Sequence, residues 1–140
     1  MIAELILPEW PAPSRVRALM TTRALGDVKG GDGRARLRAH LPADPVWLKQ
    51  VHGVEVVDAA SALAGTAADA SFARDAGVVC AVTAADCIPV LLADVKGESV
   101  AAAHAGWRGL SAGVIEAAID AMRVPPERLI AWLGDRKSVV

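Results

Sequence analysis

The sequence predicts an α+β fold with mixed, largely antiparallel sheets flanked by helices. Residues 88–95 form an apolar run, and a compact turn at 96–98 follows it, so the pattern over 89–103 is typical of an antiparallel hairpin. Apolar residues then recur four apart over 110–123, which predicts an amphipathic helix. A second apolar run at 129–133 predicts another strand.

The amino-terminal third of the chain predicts shorter elements. Residues 15–22 are β-compatible and predict a strand that ends near Arg23. Glycine and charged residues dominate 26–33, which predicts a loop. A short basic helix is expected over 34–40, with its arginines on a solvated face.

The middle of the chain is apolar but repeatedly interrupted. Residues 46–57 are broken at their centre by Gln50, His52 and Gly53, which predicts two strands, or one kinked strand with His52 at the bend. The alanine-rich segment 59–68, with Gly65 inside it, is not assigned to a helix or a strand. The valine content of 77–84 predicts a buried strand.

Composition limits the classes of function. The chain has 140 residues, of which 54% are apolar, enough for one domain with a real core. A formal net charge of −1 gives no reason to expect nucleic acid or an acidic membrane as partner. Two cysteines provide no disulfide framework and favour a reducing compartment. With no signal-like segment and no apolar run of roughly 20 residues, we expect a cytoplasmic protein.

Three residues of metal-binding type, His52, Cys87 and His104, stand at breaks in apolar segments. Their separations of 87 − 52 = 35 and 104 − 87 = 17 residues match no zinc finger, so separate elements would have to bring them together. Two imidazoles and a thiolate suit zinc, and copper less well. Cys80 is assigned to the core and His40 to the surface.

The same residues are compatible with other roles. Cysteine is often a core residue and histidine often a hydrogen-bonded structural one. A second hypothesis makes Cys87 a nucleophile, with His104 or His52 as base and Asp86 as the orienting acid. The two mechanisms differ in their requirement for metal, which a chelator would reveal.

Charged residues near these positions have both functional and structural interpretations. Arg108 stands at the start of the predicted helix and could bind phosphate or a carboxylate, or pair with Glu116. Asp69 and Asp86 could each orient a ligand histidine, contact substrate hydroxyls, or act as a turn residue or cap.

Three motifs then point to a known family. Residues 47–53 (WLKQVHG), 84–94 (AADCIPVLLAD) and 103–109 (AHAGWRG) resemble, in this order, the YfiH/laccase-domain family of zinc-dependent purine nucleoside phosphorylases. Asp69-Ala70 is similar to the acidic step of the family, and Thr21-Thr22-Arg23 to its threonine-arginine motif. Together the resemblance covers most of residues 8–134.

The resemblance implies one zinc ion held by His52, Cys87 and His104. It implies catalytic roles for Cys87, His104 and Arg108, and substrate binding by Arg23, Asp69 and Arg108. The implied reaction is cleavage of adenosine, inosine, guanosine or methylthioadenosine by phosphate, with possible adenosine deamination at the same site.

The resemblance also implies a layered α/β/β/α architecture related to the cytotoxic necrotizing factor hydrolases. Members of the family have been described as multicopper polyphenol oxidases, for which three histidines are too few, and as editors of peptidoglycan precursors. Oligomeric state is left open.

The sequence departs from the family pattern at two places. Residues 24–39 are shortened and contain no asparagine, and the family continues for roughly another hundred residues, a typical domain extent. We therefore expect 1–134 to be an incomplete domain, and 135–140 a non-native tail matching read-through into a sequencing adapter. Such a fragment could retain zinc without activity.

Overall fold

A five-stranded mixed sheet forms the centre of the structure, a computed structural model that describes residues 3–85 and 87–134. In spatial order its strands are β3 (Val56–Asp58), β4 (Ala70–Ala73), β6 (Val100–Ala105), β5 (Ile88–Asp94) and β7 (Leu129–Leu133). The β3–β4 pair is parallel, and the other three pairs are antiparallel. The predicted α+β class is confirmed, as are the hairpin of β5 and β6 and the strand at 129–133.

The amino-terminal part forms a separate two-stranded sheet and a local apolar cluster. A two-residue strand, β1 (Leu5–Ile6), pairs antiparallel with β2 (Met20–Thr21), and helix α1 (Gly31–Arg38) follows a short 3₁₀ turn. Leu25, Val28 and Leu37 make a local apolar cluster. The strand expected over 15–22 is therefore reduced to two residues, and the basic helix begins three residues earlier than predicted.

The main core lies between the central hairpin and helix α3 (Val114–Met122). Val90 is opposite Ala103 and Leu92 opposite Ala101, so these side chains share one face of the sheet. Alanine on that face lets the helix backbone approach closely, while Met122 fills the remaining space and is fully buried. By alternation, His104 points to the opposite face.

The helix predicted over 110–123 is interrupted. Gly113, at φ 105°, ends helix α2 (Trp107–Ala112) and starts α3. Glycine takes this left-handed conformation without the Cβ clash of other residues, so a break at Gly113 costs little. Leu110 consequently leaves the buried face and is 52% exposed. None of the helices in 3–85 and 87–134 has the length and apolar character that a bilayer-spanning helix requires.

The prediction of a buried strand over 77–84 is wrong. These residues are all described, and they run half-buried without entering the sheet. The Gln50 side chain takes the place of a strand partner: its Nε2 donates to the Thr83 carbonyl at 2.7 Å, and its Oε1 accepts from the Thr83 amide at 2.7 Å. Valine content therefore indicated partial burial rather than sheet pairing.

A buried carboxylate ties the β5–β6 turn to the start of β7. Asp94 is fully buried and accepts from Arg128 Nε at 3.0 Å and Nη2 at 2.5 Å. The amides of Lys96 and Glu98 also donate to it. The Arg128 hydrogen bonds outweigh the effect of burial and, with those amides, lower the pKa of Asp94 to about 2.

Asp94→Asn should lower the free energy of unfolding at neutral pH by about 2–4 kcal/mol, since it removes the buried charged partner of Arg128 and leaves that side chain only the exposed Glu98. Because the folded pKa lies below the ordinary 3.8, this stabilisation is complete above the ordinary value and is lost as pH falls from 3.8 towards 2. Urea denaturation of the wild type and Asp94→Asn, at neutral pH and near pH 3, measures the difference in their free energies of unfolding. A difference that does not shrink in acid would contradict this assignment.

Candidate metal centre

His104 occupies the penultimate position of β6, where its neighbours fix its surroundings. The β4–β6 register places Asp69, just before β4, opposite His104, and the His104 amide donates to the Asp69 carbonyl at 2.7 Å. Residues opposite each other on neighbouring strands project their side chains on the same face. The Asp69 Oδ2 and His104 Nδ1 atoms are accordingly 2.7 Å apart, and both side chains are buried.

His52 lies at a bend rather than in a strand. A single parallel bridge joins Lys49 to Ala67 before the bend, and β3 begins only at Val56. His52 itself has φ 62°, one of two non-glycine residues with positive φ among those described. The kink predicted at His52 is present, but no regular strand precedes it.

Cys87 precedes β5 and completes the group. One potential ligand atom from each of His52, Cys87 and His104 lies within 4.8 Å of the others. The two imidazole centroids are 5.1 Å apart with their planes at 68°. The fold thus brings together the three residues that the sequence singled out across gaps of 35 and 17 residues.

The donor set and its spacing fit a metal ion. A tetrahedral zinc with two nitrogen ligands and one sulfur ligand needs donors about 3.3–3.6 Å apart, from its usual bond lengths. Donors already within 4.8 Å reach that spacing through small rotamer changes. Because Asp69 engages Nδ1 of His104, Nε2 of that ring is left for the metal. The ligand assignment itself stays a prediction.

Asp69 is an ionised carboxylate at the base of this centre. Burial by itself raises the pKa of such a group, but the hydrogen bonds from His104 and from the amides of Gly53, Val51 and His52 outweigh it. The pKa of Asp69 is therefore below its ordinary 3.8. At neutral pH the centre contains one fixed negative charge beside His104.

An open cleft of about 300 Å³ lies over the three residues, and Gly106, Trp107 and Arg108 complete its lining. Trp107 is 77% exposed, and the Arg108 guanidinium lies 5.4 Å from the centroid of its ring. The volume is at the lower end of those seen for small-molecule sites. An exposed cation and an exposed aromatic face beside a metal-capable group suit an anionic ligand with a planar part.

The other predicted residues are placed differently. Arg23 is exposed in the 3₁₀ turn Arg23–Leu25, and neither it nor Asp69 is among the residues that line the cleft. Their substrate-binding roles stay predictions. Asp86, the proposed orienting acid of the cysteine mechanism, lies outside the described residues. Among the described ion pairs, none joins Arg108 to Glu116.

Two residues that shape the site, Gly106 and Gln50, had no role predicted from the sequence. Gly106 has room for a hydrogen but not a methyl group: a Cβ there would lie 2.9 Å from Cys87 Sγ and 3.3 Å from His52 Cδ2. Gln50 connects the backbone leading to His52 with the segment leading to Cys87 through Thr83. The sequence signal for Gly106 was its position two residues after the candidate ligand His104.

Fold and site together define a class: an α+β protein with an open His/Cys/His centre able to hold a metal. A family model described as multi-copper polyphenol oxidoreductase laccase matches residues 27–136. The chain belongs to this family, the YfiH/laccase-domain family, which confirms the resemblance found in the sequence.

Two curated relatives are similar over nearly the whole chain. A purine nucleoside phosphorylase of Pseudomonas aeruginosa is 46% identical over 92% of this chain and 60% of its own length. The purine nucleoside phosphorylase YfiH of Escherichia coli is 43% identical, over 95% of this chain and 63% of its own. The chain therefore spans less than two thirds of the length of these relatives.

Solved structures agree with this fold. A Neisseria meningitidis protein matches with a TM-score of 0.81 at 41% identity, covering 94% of this chain and 62% of that one. YlmD from Geobacillus stearothermophilus matches with a TM-score of 0.60 at 24% identity, covering 74% of this chain and 44% of that one. The second likeness supports the fold alone.

Proposed function

We propose that this chain is part of a zinc-dependent purine nucleoside phosphorylase. The observation that carries the proposal is the convergence of His52, Cys87 and His104 within 4.8 Å in an open cleft that also contains Arg108. The curated relatives are named purine nucleoside phosphorylases, which supports the reaction class.

Zinc suits the donor set better than copper. Two imidazoles and one thiolate form a borderline-soft set that zinc takes in a tetrahedral arrangement, and three protein ligands leave the fourth position open, as in catalytic zinc sites. The family description names multi-copper oxidation, which requires several histidine-rich copper sites. This chain has three histidines, and His40, exposed on the surface, is not part of the His/Cys/His group.

Phosphorolysis exchanges one bond for another at the sugar. The bond between C1′ and the purine nitrogen breaks, a bond between C1′ and a phosphate oxygen forms, and the base leaves with the electron pair and takes up a proton. Zinc, when bound by the three ligands, supplies Lewis-acid activation to an oxygen group. The remaining tasks, holding an anion and positioning the nucleoside, fall to residues of the chain.

Phosphate binding is the role we assign to Arg108. Its guanidinium lines the cleft, is exposed, and can donate two parallel hydrogen bonds to phosphate oxygens. Held there, it offsets negative charge close to the bond that breaks. Trp107 presents an exposed indole on the same wall, a surface on which a purine ring can stack.

The proposed substrates are inorganic phosphate and adenosine, inosine, guanosine or methylthioadenosine. Deamination of adenosine at the same centre is a second reaction of the proposal. Cys80 and Cys87 are both free, which fits a reducing compartment, so we propose a cytoplasmic location.

The experiment is metal analysis of the purified protein, followed by measurement of purine release from each nucleoside with and without phosphate. We expect about one zinc per chain and base release that requires phosphate. A chelator should remove both, and zinc should restore them. Ammonia release from adenosine in the same assay measures deamination.

Other outcomes contradict the proposal in distinguishable ways. Hydrolysis that survives the chelator would favour Cys87 as a nucleophile. Zinc binding without base release would favour a metal-binding module. Copper in place of zinc, with oxidation of phenols, would favour the oxidase that the family description names.

A further inference from the structure

One carboxylate contacts two of the three candidate ligand residues. Asp69 is fully buried, and each of its oxygens accepts two hydrogen bonds. Oδ1 accepts from the amides of Val51 and Gly53, both at 3.0 Å. Oδ2 accepts from the amide of His52 at 3.0 Å and bonds to the His104 ring at 2.7 Å. We call this arrangement the Asp69 clamp.

The clamp sets which nitrogen of the His104 ring carries a hydrogen. A carboxylate only accepts, so Nδ1 of His104 carries the hydrogen of this 2.7 Å contact. The neutral ring then has its free lone pair on Nε2, as a metal ligand requires. With His104 only 5% exposed, the ring has little room to adopt another orientation.

The clamp also sets the backbone of His52. Three successive amides, from Val51 to Gly53, converge on the carboxylate, forming an anion-binding nest. A nest requires a left-handed residue within it, and His52 at φ 62° provides that conformation. This conformation is costly for a residue with a Cβ, and the hydrogen bonds to Asp69 offset that cost.

We propose that Asp69 is a positioning residue that holds His52 and His104 in ligand geometry before any metal binds. It acts on the ring of one and on the backbone of the other, so both ligands depend on a single carboxylate. The proposal rests on the metal centre proposed above. It differs from a substrate contact, because all four hydrogen bonds of the carboxylate stay inside the protein.

Asp69→Asn tests the clamp with little change of shape. Asparagine replaces one accepting oxygen with an NH₂ group that meets donors, so the nest and the His104 ring cannot both be satisfied. We expect zinc affinity, measured by competition with a chromophoric chelator, to fall about 10–100-fold. Asp94→Asn is the matched control: Asp94 is equally buried and carries similar hydrogen bonds, but it lies outside the centre. The zinc affinity of Asp94→Asn should match that of the wild type.

A measurement without metal or variant tests the same point. In the metal-free wild type, at a pH where the imidazole is neutral, ¹⁵N NMR of the rings should show His104 with its hydrogen on Nδ1. The opposite tautomer would overturn the clamp, and this holds even if Asp69→Asn fails to fold.

The zinc titrations separate this proposal from the proposed function. A wild type that binds no zinc overturns both. A wild type that binds zinc, with Asp69→Asn binding within about threefold of it, overturns the clamp alone. Weaker zinc binding by Asp69→Asn, with Asp94→Asn unchanged, supports it.

Discussion

Cys87→Ala is expected to lose its zinc and, with it, phosphorolysis. Loss of a residue that merely orients a ligand costs about 10–100-fold in metal affinity or activity, so removing one of three ligands should cost more than 100-fold. Without Cys87 the centre would also lose its sulfur ligand, and only the two histidines would remain. Metal content after dialysis and phosphate-dependent base release from inosine measure the two losses.

Cys80→Ala is the matched control, because Cys80 is the other free cysteine of the chain. Burial raises the pKa of its thiol to about 11, so it is neutral and is no thiolate ligand at neutral pH. We expect zinc content and turnover to be retained. If Cys87→Ala kept both zinc and phosphorolysis, the metal centre proposed here would be wrong. If it kept zinc but lost turnover, Cys87 would act as a nucleophile instead.

Gly106→Ala is expected to disable the centre by a single methyl group. The added Cβ would lie 2.9 Å from Cys87 Sγ, closer than such contacts occur, and 3.3 Å from His52 Cδ2, a tight contact. Both side chains would have to move, which would separate the donors from the spacing that zinc needs. We expect zinc affinity to fall at least about 10-fold, while the far-UV circular dichroism spectrum stays that of a folded protein.

Gly30→Ala provides the comparison for this substitution. Gly30 precedes α1 with φ −172°, and a Cβ there meets nothing within 4 Å. The same chemical change should therefore leave zinc binding as it is in the wild type. Equal zinc affinity in Gly106→Ala and the wild type would show that Cys87 and His52 do not need their present positions.

Local patterns predicted the elements that depend on nearby residues. The hairpin of β5 and β6 was predictable because a three-residue turn connects two apolar runs, and β7 because the Pro125-Pro126 pair isolates a third run. The helix over 110–123 was predicted without its break, since the period of the apolar residues continues through Gly113. A glycine inside a helical pattern does not by itself end a helix, so the break at Gly113 could not be predicted from the sequence pattern.

Segments with long-range partners were not predictable. Residues 77–84 have the composition of a strand, but a strand needs a neighbour, and Thr83 finds its partner in a side chain 33 residues away. The bend at His52 was predictable from the sequence, because Gly53 follows it and interrupts the apolar segment. The left-handed backbone was not, because its stabilising carboxylate comes from Asp69.

The sequence by itself determined the chemistry available to this protein: two imidazoles, a thiolate and an arginine, in three motifs that identify the family. Tertiary structure decided the distances and the roles. It brought His52, Cys87 and His104 within 4.8 Å, and it placed Asp69 between the two histidines. Residue type is a local property of the chain, whereas convergence across 35 and 17 residues depends on strand register and on the bend at His52.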